Sequence, residues 1–106
     1  MADLYPESLI TVIAAQSLET TITKRLRDHH VSGYTIVRAR GAGGTGTQDW
    51  LLDFDSNVQI SVVMPHERRD EVLDELQALI NRGHHLTVYV STVEVLNREK
   101  FNRSLE

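Results

Sequence analysis

The chain has no cysteine, which excludes disulfides, thiol catalysis and cysteine-ligated metal in one step. It has no concentrated basic face. Eleven lysines and arginines stand against fifteen acids, a formal net charge of −4. The basic residues are scattered apart from Lys24-Arg25-x-Arg27 and Arg68-Arg69, which argues against a nucleic-acid groove. Aromatics make up 6% of the chain, and Leu9–Ala15 and Asn57–Met64 contain none, so the stacking platform of an RNA-recognition sheet is missing. The longest apolar run, Leu9–Ala15, is broken by Thr11 and is far too short to span a bilayer. The first ten residues carry acids rather than lysine or arginine, unlike a secretory leader. These absences predict a cytoplasmic protein with no direct membrane insertion, working at a membrane only through a partner. Neither a Ser-His-Asp nor a Cys-His arrangement is visible, so no catalytic residue is assigned and the chain is not expected to be an enzyme.

What is present fits one compact domain over residues 1–106, with 41% hydrophobic residues to fill its core. Met1–Glu7 is polar and contains Pro6, and reads as a loose lead-in. Leu9–Ala15 is apolar on both faces, the mark of a central strand. Ser17 suits a helix N-cap, and Leu18, Ile22 and Leu26 then recur every four residues. That helix should end near His30, with Ser32-Gly33 turning into a strand from Tyr34 to Arg40. Val58, Ile60, Val62 and Met64 alternate in a further strand. Pro65 opens a second helix whose buried face is Val72, Leu73, Leu76, Leu79 and Ile80, stopped by Gly83. Leu86, Val88 and Val90 alternate in a last strand, and 93–106 reads as a short helical or turn-like tail that becomes polar.

The most informative stretch joins the second and third strands. Arg38 and Arg40 stand one strand repeat apart, which would aim both guanidinium groups to one side. Gly41, Gly43, Gly44 and Gly46 follow, freeing backbone N–H groups to approach a ligand. Arginines feeding a glycine loop suit an anion, phosphate above all. The letters G-x-G-x-x-G are also present, but no helical spacing follows them, so the dinucleotide fingerprint is weak. A flexible hairpin connection without ligand fits the same letters. Trp50, Leu51, Leu52 and Phe54 are costly to leave wet; they form either a strand extension or an anchor for a protein partner.

The element order is β-α-β-β-α-β, which predicts an α+β, ferredoxin-like fold: a four-stranded antiparallel sheet with two helices on one face. The other face carries Gln59, Ser61 and Val63 on one strand and Thr87, Tyr89 and Ser91 on another, with no charge among them. A sheet face that is uncharged and lacks a second helical layer predicts association of copies through the sheet. The pairs His29-His30 and His84-His85 are poor chelators, because neighbours on a strand point apart; no metal ligand is assigned.

With this order in place, the chain resembles the PII signal-transduction superfamily. The likeness rests on Ser32-Gly33-Tyr34-Thr35-Ile36, on the glycine-rich loop of about residues 41–56 between strands two and three, and on Val88-Tyr89-Val90-Ser91-Thr92-Val93-Glu94-Val95-Leu96 with Arg98 and Lys100-Phe101 behind it. The last piece is particularly similar to the tail of SbtB and carboxysome-associated PII-like proteins tied to bicarbonate uptake. The resemblance implies a homotrimer that binds an adenine nucleotide between subunits and acts on a protein partner, such as a bicarbonate or other transporter, through a mobile loop. It implies that Gly41, Ala42 and Gly43 line the nucleotide, that Arg98 and Lys100 contact phosphate, and that Val63 sits beside the adenine. Arg38 and Arg40 are added from the residues themselves, and in a trimer His85 could reach phosphate. Trp50, Leu51 and Leu52 are the candidate partner-binding residues. The T-G-x-x-G-D-G-K run of nitrogen-type members is replaced by Arg82-Gly83-His84-His85-Leu86-Thr87, which favours AMP or ADP over ATP. Residues 41–57 hold neither tyrosine nor lysine, so nitrogen signalling through a modified tyrosine or 2-oxoglutarate is not expected. SbtB-type proteins carry an arginine where Thr45 stands here, and can carry a cysteine pair that is absent, so the chain reads as a divergent branch. The competing reading on the same fold is a CutA-like, trimeric metal-responsive protein.

Overall fold

The central strand dictates the rest. In the computed structural model, which describes residues 1–40 and 56–102, β1 (Tyr5–Ala15) pairs on both sides and on both sides antiparallel. Its neighbours are β3 (Asn57–Met64), in register from Ser8↔Met64 to Ala15↔Asn57, and β4 (Leu86–Val95), from Tyr5↔Val95 to Ala14↔Leu86. The short strand β2 (Thr35–Ala39) pairs with β3 from Thr35↔Ser61 to Ala39↔Asn57, so the sheet order is β2-β3-β1-β4. Helix α1 (Glu19–Asp28) crosses from β1 to β2 and helix α2 (Arg69–Asn81) from β3 to β4. The fold is the expected ferredoxin-like α+β arrangement, with both helices on one face.

The period of two separates the faces. Ile10, Val12 and Ala14 of β1 and Val58, Ile60, Val62 and Met64 of β3 meet Ile22 and Leu26 of α1 and Val72, Leu76 and Leu79 of α2 in one buried core. Burying each large aliphatic side chain there is worth about 1.5–3 kcal/mol. The odd-numbered positions face away from the helices: Leu9, Thr11 and Ile13 of β1 lie beside Val63, Ser61 and Gln59 of β3 and Ser91, Tyr89 and Thr87 of β4.

The helices are latched at one end. Arg25 Nη1 meets Glu75 Oε2 at 2.6 Å and His29 Nε2 lies 3.2 Å from Glu75 Oε1. Arg68 Nη2 donates to the carbonyls of His29 at 2.6 Å and His30 at 3.2 Å, satisfying acceptors that the end of α1 leaves open. Gly83 ends α2 at φ +100, with its N–H on the Ile80 carbonyl and the His84 N–H on that of Leu79, as the sequence predicts.

Several local expectations are corrected. β1 starts at Tyr5, so Pro6 and Glu7 are strand; they lie beyond the end of β3, where β1 pairs only with β4 and proline is tolerated on the unpaired side. Ser17 makes no cap: residues Gln16–Leu18 form a 3-10 turn, and Leu18 is the N-cap without a side-chain hydrogen bond. The chain turns after α1 already at His30, in the left-handed region at φ 58, ahead of the expected Ser32-Gly33 turn. Ile80 is exposed rather than buried, because α2 and β4 leave an open groove there, lined by Ile80 with Leu73, Leu86 and Val90. Finally, β4 runs on through Val93–Val95, where a turn-like tail was expected; the 3-10 segment Arg98–Asn102 comes after it. Pairing with the unexpectedly long start of β1 is what extends it.

Candidate functional site

The antiparallel register sorts the expected ligand residues onto two opposite ends of the sheet. At one end β1 finishes at Ala15, β2 finishes at Ala39, β3 begins at Asn57 and β4 begins at Leu86. Arg38, Arg40 and His85 belong to this end. His85 precedes β4, and Arg40 follows β2 at the far edge, three strand spacings away or about 14 Å. Arg38 pairs across from Val58, on the helix-covered side, yet is exposed because it stands near the end of the strand. β2 stops at Ala39, so strand alternation does not carry through Arg40, and the expected common side for the two guanidinium groups does not follow. Gly41, Ala42 and Gly43 and the partner-binding candidates Trp50, Leu51 and Leu52 lie outside the described residues.

The other end collects Val63, Arg98 and Lys100. Val63 faces away from the helices opposite Leu9. Beyond β4 the chain doubles back as Arg98–Asn102 and packs against β3. The Arg98 guanidinium sits 5.2 Å from the centre of the Tyr5 ring, and Lys100 Nζ sits 5.6 Å from that of Phe101. At such exposed positions a cation over a ring is worth about 0.5–1 kcal/mol, enough to bias the tail toward the sheet while leaving its charges available. Thr35 and Ser61, paired across β2 and β3, lie on the same face as Val63. Only the alternation of the strands, read together with their register, could have placed them there.

Two further features escaped sequence reasoning. Ser8 Oγ and His66 Nδ1 are hydrogen-bonded at 2.5 Å, with Arg69 Nη1 3.5 Å from the same oxygen. The pair joins residues 58 apart, a separation no local motif reveals. Ser8 is fully buried on the core side, so the pair ties β1 to the start of α2 and presents no nucleophile to solvent. The second feature is Glu7, a carboxylate buried on the open side of the sheet.

On the helix side, the Arg25 guanidinium beside Glu75, seconded by His29, holds the Glu75 carboxyl below the usual carboxylate range. Among the described residues no three histidine, aspartate or glutamate side chains lie close enough to share a metal ion. No helix among them is long and apolar enough to cross a membrane.

A four-stranded antiparallel sheet with one face closed by two helices defines a class of small α+β, ferredoxin-like proteins. Within it, the chain belongs to the nitrogen regulatory protein P-II family, whose model matches residues 7–100. The CutA-like alternative is thereby set aside. The chain is similar to CPII from Thiomonas intermedia K12 bound to ADP and bicarbonate, at 27% identity and TM-score 0.82, covering 95% of this chain and 99% of that one. CPII bound to ADP, AMP and bicarbonate matches at 26% identity and TM-score 0.82, covering 95% and 98%. A putative PII-like signaling protein from Thermus thermophilus matches at 30% identity and TM-score 0.76, covering 93% and 98%. No curated protein matches the chain. These likenesses agree with the expected divergent PII-like protein.

Proposed function

We propose that the protein is a non-enzymatic, homotrimeric signalling protein that binds AMP or ADP between subunits, with bicarbonate as a second ligand. Nucleotide state sets the conformation of residues 41–56, which act on a protein partner such as a membrane transporter. The observation that carries this reading is the separation of the candidate ligand residues. Arg38, Arg40 and His85 stand at one end of the sheet and Val63, Arg98 and Lys100 at the other, about six strand residues or 20 Å apart. One nucleotide touches both groups only if the two ends come from different copies. The uncharged middle of the open face supports such assembly, and the family and the ADP- and AMP-bound CPII structures support the ligand.

Calorimetry with AMP, ADP, ATP and cyclic AMP, with and without bicarbonate, tests the reading on protein whose mass is measured by light scattering. AMP and ADP should bind at micromolar concentration to a trimer, with ATP weaker and no nucleotide turned over. A strictly monomeric particle, or no heat from any of the four at high micromolar concentration, would overturn it. Trp50 is the chain's single tryptophan, so its emission should shift on ADP addition if residues 41–56 respond.

A further inference from the structure

Glu7 has no role in the fold as described, and its surroundings are unusual for a carboxylate. It is 4% exposed, on the side of the sheet that the helices do not cover. Burying an ionised carboxylate without a partner is costly, yet no described residue pairs with it. No side-chain oxygen among the described residues is both sealed from solvent and unpartnered, so the small opening that remains includes the carboxylate oxygens. Glu7 therefore keeps unpaired acceptor oxygens at the surface although most of its side chain is covered.

The neighbours give the carboxylate a setting. Leu9 pairs with Val63, so Glu7 stands diagonally from Val63 on the same face, roughly 7 Å away between Cβ atoms. On its other side, one side-chain repeat along β1, is Tyr5, which carries the Arg98 guanidinium over its ring. The sequence across the sheet is an apolar surface, then a carboxylate, then a cation. A nucleotide offers complementary parts in that order: a flat base, a pair of ribose hydroxyls, a phosphate.

We infer that Glu7 accepts hydrogen bonds from the ribose hydroxyls of a ribonucleotide whose base lies on Val63 and whose phosphate lies toward Arg98. This rests on the nucleotide reading above and deepens it: Glu7 makes the site selective for ribose. A hydroxyl donating to a charged acceptor contributes enough to change affinity by about 10- to 100-fold.

The test is calorimetry on the full chain with ADP and 2′,3′-dideoxy-ADP, for the wild type and for Glu7→Gln and Glu7→Val. The valine variant suits a strand position opposite Val93 and guards against misfolding in the glutamine variant. The wild type should bind ADP about 10- to 100-fold more tightly than the dideoxy analogue. That ratio should shrink in Glu7→Gln, which keeps one acceptor oxygen, and collapse to about one in Glu7→Val. Equal wild-type affinity for the two nucleotides, or a ratio that survives in Glu7→Val, would overturn the inference and leave the nucleotide reading standing. No binding of either nucleotide to the wild type would overturn both.

Discussion

Ile60 and Ser61 are neighbours on β3 and face opposite worlds. Ile60 is sealed among residues of both helices, while Ser61 looks out over the open face beside Thr11 and Thr35. The closed side holds the core within one chain: its central apolar residues are covered and the helices are latched through Glu75. The open side is incomplete in both respects. Its middle is uncharged but uncovered, it buries a carboxylate that no described residue pairs with, and it ends in cations leaning on rings. Stability resides on the side the chain finishes by itself, and the proposed ligand and partner chemistry belongs to the side it leaves to others.

Substitutions at these neighbouring positions separate the two sides. Ser61→Lys should have the largest effect on assembly, since a trimer would bury three ammonium groups at a cost of several kcal/mol each. Light scattering should show monomers with unchanged far-UV circular dichroism; a persisting trimer would remove the open face from the interface. Ile60→Ala should act the other way, lowering unfolding free energy by about 2–5 kcal/mol in urea titrations. Arg98→Ala should weaken ADP binding by about tenfold, in line with the loss of one charge-assisted contact, while lowering unfolding free energy by no more than the ~1 kcal/mol of its contact with Tyr5. Equal affinity for ADP would mean that the tail cation does not meet phosphate.

The smallest effect belongs to the latch between the helices. The Glu75 pKa is depressed in the folded state, first by Arg25 and then by His29, so the carboxylate form favours folding. Its contribution is complete above the unfolded glutamate value of about 4.3 and fades as pH falls through the lower folded value. The unfolding midpoint of Glu75→Gln should therefore approach that of the wild type as pH drops from 6 toward about 3. A constant gap between the two across that range would show that packing, not charge, gives Glu75 its role.

The strand order, both helices and nearly all of the core were legible because they rest on short-period patterns: every second residue in Val58–Met64, every fourth from Leu18 to Leu26. What was not legible depends on distant pairing. Pro6 masks the start of β1 in any local reading, and only β4 lying alongside makes a strand of it. The same pairing draws Val93–Val95 into β4. Ser8 and His66 carry no mutual signal at their separation, and Glu7 looked like part of a solvated lead-in until a strand register set it inside. For the ligand residues, the types were legible and the geometry was not. Nothing in the order of the letters says that Arg40 and Arg98 end up at opposite ends of a sheet.

The fold also brings the start of β1 and the segment after β4 to a common place. Tyr5 opens β1 and Arg98 leaves β4, and ring and guanidinium are in contact. A label attached just ahead of Tyr5 thus stands within a few residues of the tail cation. A fluorophore there becomes a proximity reporter for release of the tail.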